Sequence, residues 1–233
     1  MAKGTIYNKE PFLNQVADKL GRERKDHVSL PKWKHLPQWE VYKHDSTEKL
    51  LATLQKNSKA KNVDVVETDQ SMLAETIQKV IKDYGGGSIV TTKDARFAEY
   101  GLTSAFDNSQ THIWDTAVGK ENIEKAKEAN LGIFFSDISL AESGTIVQFN
   151  DKDVARSVSL LPTTYIAIVP KSSIVPRMTQ ATHEIHRLVK AGKEIATCIN
   201  FISGPSNSAD IEMDIVVGVH GPVKAVYLLV EDR

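Results

Sequence analysis

The period of the apolar positions changes along the chain, and each change marks an element. Phe12, Leu13, Val16, Ala17 and Leu20 recur at helical spacing and stop at Gly21, which predicts a short amphipathic helix over 11–20. Between residues 22 and 45 the periodicity lapses, while Pro31, Trp33, Pro37, Trp39 and Tyr42 gather among Lys and His residues. Prolines keep such a stretch extended, and a purely solvated linker does not carry two tryptophans, so it reads as an arm. Its rings either cover an apolar face of their own domain or anchor on a second chain.

Beyond Asp45, helical and strand-like patterns alternate. Helices are predicted over 46–55, 71–84, 94–100, 121–129 and 175–191, the second stopped by Gly85-Gly86-Gly87 and the last by Gly192. Strands are predicted over 62–67, 88–92, 112–115, 132–136, 145–149, 165–169, 195–202 and 225–230. This alternation predicts an α/β fold, an open, mainly parallel sheet with helices on both faces, preceded by the N-terminal helix and extended arm. The division expected is 1–45 for helix and arm and 46–233 for the α/β domain. Ligands of such sheets sit beyond the carboxyl ends of the strands.

Composition narrows the function classes. With 41% apolar and 25% charged residues, the chain is neither disordered nor collagen-like, and 233 residues suffice for one core with an appendage. Twenty-nine Lys and Arg against 30 Asp and Glu give a formal charge of -1, which argues against coating nucleic acid or anionic lipid. The single cysteine, Cys198, forms no internal disulfide and by itself holds neither an iron-sulfur cluster nor a structural zinc. No cofactor is therefore expected in this chain, and any redox centre is expected in a partner. The first residues lack the apolar core of a signal peptide, and no apolar run approaches about 18 residues, which predicts a cytoplasmic protein without a membrane span.

Three segments carry candidate chemistry. Ser203-Gly204-Pro205-Ser206-Asn207-Ser208-Ala209-Asp210-Ile211-Glu212 follows an apolar strand and is expected to open a short helix. Its small residues, amides and the hydroxyls of Ser206 and Ser208 suit an anion, and they equally suit a capped turn in which Asp210 and Glu212 offset the helix dipole. In Ala141-Glu142-Ser143-Gly144-Thr145, Glu142 is either a base or nucleophile projecting into a crevice or a solvated acid in a hairpin turn. In Gly218-Val219-His220-Gly221-Pro222, His220 is either a proton carrier or a structural histidine bonded to backbone carbonyls. Two other segments are set aside. His183-Glu184-Ile185-His186-Arg187 has Arg187 where a zincin helix needs its second histidine, and Gly85-Gly86-Gly87-Ser88 precedes a strand and lacks the Lys-Ser/Thr ending of a P-loop.

The long motif from Phe201 to Glu212, followed by Gly218-Val219-His220-Gly221-Pro222, resembles the lactate utilization protein C family. Gly4-Thr5-Ile6, Phe12-Leu13, Leu20-Gly21-Arg22-Glu23-Arg24, Trp33, Trp39 and the Glu142 segment extend the resemblance over nearly the whole chain. It implies a LUD domain, similar to the α/β folds of sugar-phosphate isomerases, CoA transferases and 5-formyltetrahydrofolate cyclo-ligases. It also implies a place in a three-protein system that oxidises L-lactate to pyruvate, beside cysteine-rich, iron-sulfur partner proteins, with this chain as a non-redox subunit. The alternative is a stand-alone CoA transferase-like or cyclo-ligase-like enzyme, because Glu142-Ser143-Gly144 is similar to the glutamate motif of family I CoA transferases. Under either reading Glu142 and His220 are the catalytic candidates. Ser143, Gly144, Thr145, Ser203, Gly204, Ser206, Ser208, Asp210 and Glu212 are the candidates for binding a small carboxylate, and no residue is assigned to a metal. Self-association stays open. The three segments are expected to converge at the carboxyl edge of the sheet.

Overall fold

The computed structural model describes residues 5–25, 27–29, 31–106, 110–211 and 214–232. Two compact units result, Met1–Pro37 and Gln38–Arg233. In the first, helix α1 (Lys9–Lys19) sets Leu13, Val16, Ala17 and Leu20 along a groove that Val28 also lines, so the helical apolar spacing is used within the unit. Arg24 reaches back to Glu10 and Asn14.

The second unit runs α2 (Thr47–Lys59), β1 (Val63–Asp69), α3 (Leu73–Asp83), β2 (Ile89–Thr91), α4 (Arg96–Glu99), β3 (Thr111–Ile113), α5 (Glu121–Glu128), β4 (Leu131–Phe135), β5 (Ile138–Leu140), β6 (Thr145–Asn150), α6 (Ser157–Leu160), β7 (Thr164–Pro170), β8 (Ile174–Val175), α7 (Met178–Lys190), β9 (Cys198–Ile202), β10 (Asn207–Ile211), β11 (Asp214–Val217) and β12 (Lys224–Glu231). Local chemistry places several of these boundaries. Ser46 caps α2 by accepting from the Lys49 amide, and Asp69 accepts from the Met72 amide at 2.9 Å just before α3. Leu73, Ile77, Val80 and Ile81 of α3 are buried at helical spacing.

Six strands in the order β1-β12-β7-β4-β2-β3 form one sheet, and every pairing in it is parallel. Both of its faces are covered, so its central strands read as unbroken apolar runs: all of β4 and β7 is buried. Alternate side chains feed two cores. Phe134, Tyr165, Ala167, Tyr227 and Leu229 meet Leu50 and Leu54 of α2 and Ala126 of α5 on one face. Ile133, Phe135, Ile166, Ile168 and Leu228 meet α3 and Phe97 of α4 on the other. The mainly parallel α/β fold with helices on both faces is thus the one the alternation implies.

Two expectations need correction. The segments at 145–149 and 195–202 are strands, β6 and β9, but they lie outside the parallel sheet in a second sheet of order β8-β5-β6-β9. There β6 pairs antiparallel with both β5 and β9, because the tight turn after Leu140 sends the chain straight back. The Ser203 segment opens no helix: β10 and β11 form an antiparallel hairpin, with Asn207 opposite Val217 and Ser208 opposite Val216. Asp210 falls in β10, and Glu212 lies outside the described residues.

The arm residues split between the units. Trp39 sits in a 3-10 turn (Pro37–Trp39) with its ring edge-on to His183 of α7, the centroids 5.2 Å apart, and Tyr42 packs against the core around α2. These two rings cover their own α/β unit. Trp33 belongs to the first unit.

Candidate functional site

The turn between β5 and β6 and the loop after β9 do meet. The Thr145 hydroxyl lies within hydrogen-bond distance of the Ser203 hydroxyl and 2.7 Å from that of Ser143, making a short chain of three hydroxyls. Buried tyrosines of the parallel sheet fasten both segments from below. The Tyr227 hydroxyl is 3.1 Å from the Gly144 carbonyl oxygen and 3.3 Å from that of Ile202, and the Tyr165 hydroxyl donates to the Gly204 carbonyl at 3.1 Å. Removal from water holds both phenols neutral well past ordinary pH, and that of Tyr227 is pushed up to about 12.

Two glycines permit this approach. Gly144 has φ +59°, and a Cβ there would lie 2.7 Å from the Ser58 amide nitrogen of α2; Gly204 has φ +78°, and a Cβ there would lie 2.6 Å from the Lys61 carbonyl oxygen. That second contact fixes the location. Lys61 precedes β1, Tyr165 is the second residue of β7, and the Ser206 amide donates at 2.9 Å to Pro222, just before β12. The loops thus gather at the amino ends of the parallel strands, not at the carboxyl ends as expected, because the second sheet returns the chain across the face of the first.

Beside them is a cavity of about 320 Å³ lined by Ser159, Asn200, Ser203, Ser206, His220 and neighbouring backbone. Ser206 and His220 therefore share one space, and the bond from the Gly218 amide to the Ser206 carbonyl at 2.8 Å holds their loops together. Asn200 contributes what the sequence did not single out. Its Oδ1 accepts from the Cys198 thiol, while its buried Nδ2 has no partner. Opposite it in the β6–β9 ladder is Gln148, fully buried, whose Oε1 accepts from Ser159 at 3.0 Å and whose Nε2 is likewise unpartnered. The alternation of β6 and β9 could have revealed this polar pair, since Gln148 and Asn200 interrupt otherwise apolar strands. No Lys, Arg, Asp or Glu lines the cavity among the described residues.

Glu142 stands apart from that lining. Its Oε2 accepts from Arg177 Nε at 2.9 Å, and Asn57 Nδ2 donates to the carbonyls of Ala141 and Glu142 at 3.0 and 2.9 Å. The carboxylate is paired with Arg177, and Asn57 anchors the backbone of its turn. Ser208 lies in β10 and is not part of the lining either.

The carboxyl edge carries a second polar centre, which sequence reasoning missed. After β2, Asp94 Oδ2 binds Arg96 Nη2 at 2.6 Å, and the same guanidinium nitrogen binds Asp137, after β4, at 2.9 Å. Asp137 Oδ2 accepts from the Phe149 amide at 2.6 Å, joining the parallel sheet to β6. Burial raises the Asp137 pKa against the pull of Arg96, and the two carboxylates outweigh burial to raise that of Arg96. Asp94 and Arg96 are neighbours in the segment after β2, whereas Asp137 comes from the segment after β4, so the three form no local motif.

The family model for the LUD domain matches residues 51–230, the stretch that builds the parallel six-stranded sheet and the mixed four-stranded sheet. The crystal structure of a DUF162 family protein from Deinococcus radiodurans shares the fold, with a TM-score of 0.56 and 16% identity over 79% of this chain and 98% of that one. Curated relatives match end to end. The lactate utilization protein C of Bacillus subtilis (strain 168) is 51% identical and that of Geobacillus sp. (strain WCH70) 52% identical, each over 240 residues spanning all of both chains. The chain belongs to the LUD domain family and, within it, to the lactate utilization protein C group.

Proposed function

We propose that this chain serves lactate utilization as a component without a redox centre of its own, binding a small carboxylate such as L-lactate or pyruvate in the cavity between Ser206, Asn200 and His220. The observation that carries the reading is the end-to-end likeness, at about half identity, to proteins named for lactate utilization. Support comes from chemistry on both sides. One cysteine does not supply the thiolates of an iron-sulfur cluster, so oxidation of lactate to pyruvate passes its electrons to cysteine-rich, iron-sulfur partners. The unpartnered amide of Asn200, with the Ser206 hydroxyl and His220 alongside, is a set of donors suited to carboxylate oxygens.

Reconstitution with purified partners tests this. Lactate oxidation is expected to need this chain, and the chain alone is expected to turn nothing over; full activity without it overturns the reading. In titration calorimetry with pyruvate, Asn200→Asp should weaken binding about tenfold or more, since it turns a donor to a charged oxygen into a repelling carboxylate. A second reading rests on Glu142 in its Asn57-anchored turn beside Arg177, which suits a CoA transferase-like or cyclo-ligase-like enzyme. Turnover by the isolated chain, lost in Glu142→Gln, decides for it.

A further inference from the structure

The carboxyl ends of β2 and β3 flank a cavity of about 360 Å³, within the range of small-molecule sites. It lies beyond the carboxyl ends of these two parallel strands, the side of an open parallel sheet on which ligands bind. Phe97, Ala98, Phe106 and Ile113 give it a largely apolar wall, and Phe97 and Phe106 meet edge to face with centroids 5.3 Å apart. Its charged groups are already matched: Asp94 by Arg96, Asp153 by Lys152, and Lys93 by Asp115 at 3.8 Å. Thr92 differs. It is 1% exposed, lines the cavity, and its buried hydroxyl has no partner. A buried hydroxyl left unpaired is costly.

The geometry points to a second ligand site here, for a flat, uncharged aromatic ring with one hydrogen-bonding edge. The ring packs on Phe97, Phe106 and Ile113, and its polar edge pairs with the Thr92 hydroxyl. A free lactate or pyruvate does not fit that description, being small, charged and without a face to lay on the phenyl rings. The site is at the opposite edge of the sheet from the Asn200 cavity, so it stands whether or not that cavity binds a carboxylate.

Benzamide and adenosine serve as probes, measured by saturation-transfer NMR and titration with the full-length protein. The wild type is expected to bind at least one at millimolar concentration or below; binding of adenosine alone assigns the ring to a nucleoside, and binding of benzamide a free ring. Ala98→Trp, at an exposed position of α4, fills the space and should abolish binding with little change in Tm. Thr92→Val keeps the shape and removes the hydroxyl. It should weaken binding about two- to tenfold, the worth of one hydrogen bond, and leave the unliganded Tm unchanged or higher. The proposal is overturned if neither probe binds, if Ala98→Trp binds as well as wild type, or if Thr92→Val lowers the unliganded Tm by several degrees, because the hydroxyl then has a partner within the fold.

Discussion

At the amino edge of the parallel sheet, the Glu142 turn and the Ser203 loop are fastened by neutral groups: three hydroxyls, two tyrosines and the carbonyls of Gly144, Ile202 and Gly204. At the carboxyl edge, β2 and β4 are instead joined through a guanidinium between two carboxylates, Arg96 with Asp94 and Asp137. The first arrangement depends on close backbone approach, which only small residues allow. The second depends on charge, and tolerates distance but not the loss of one member. Motifs rich in Gly and Ser therefore report a packing demand here as directly as they report chemistry, and the Asn200 cavity uses the loop that this packing builds.

The largest effect expected from breaking this contrast is at Gly144. Alanine there combines a left-handed φ with backbone atoms of Asn57 and Ser58 under 3.0 Å away. Gly144→Ala should cost about 3 kcal/mol in urea unfolding, from backbone strain and overpacking together. A loss below about 1 kcal/mol would show that the turn can withdraw from α2, and the close-approach account of the amino edge fails. Next comes Arg96→Ala, which leaves Asp94 and Asp137 facing each other with 9% and 22% of their side chains exposed. About 2–3 kcal/mol is expected, below the full value for a buried pair because the guanidinium is itself 25% exposed. Restoring much of that loss with Asp137→Asn in the Arg96→Ala background sharpens the comparison, since the repulsion disappears with one charge. No restoration would mean that the guanidinium acts through packing alone.

The same contrast explains what the sequence could tell. Strands β4, β7 and β12 are legible because a sheet covered on both faces needs continuous apolar runs, and α3 because its four buried positions keep one face. Strand pattern alone does not say which sheet a strand joins. Thr145-Ile146-Val147 reads the same in a parallel or an antiparallel ladder, so the pattern does not tell that β6 and β9 belong to the second sheet or that their loops lie at the amino edge. The Ser203 loop misled in a second way. Gly, Pro and Ser followed by an acid favour a helix start, but alternation in Asn207-Ser208-Ala209-Asp210-Ile211 and a return strand override that local signal. Of the site, Ser206 and His220 were legible through glycine-flanked loops. Asn200, Gln148 and the Arg96 centre were not, because their meaning depends on which strands lie side by side.

The smallest effect, and the finest probe of the neutral edge, is at Tyr227. Tyr227→Phe removes the hydroxyl beside the carbonyls of Gly144 and Ile202 and should cost about 1 kcal/mol or slightly more at pH 7. Its pH dependence carries the sign. Burial lifts the folded-state pKa from 10.0 to about 12, so the neutral phenol contributes stability that is fully present below pH 10 and is lost as pH rises toward 12, where the unfolded chain ionises first. The wild type should lose stability across that window more steeply than Tyr227→Phe, and the gap between them should narrow. Parallel stability curves for the two proteins from pH 9 to 11.5 would mean that this hydroxyl is hydrated in the fold, and that the turn and the loop are held down by their side-chain hydroxyls and glycine packing rather than by the tyrosines beneath them.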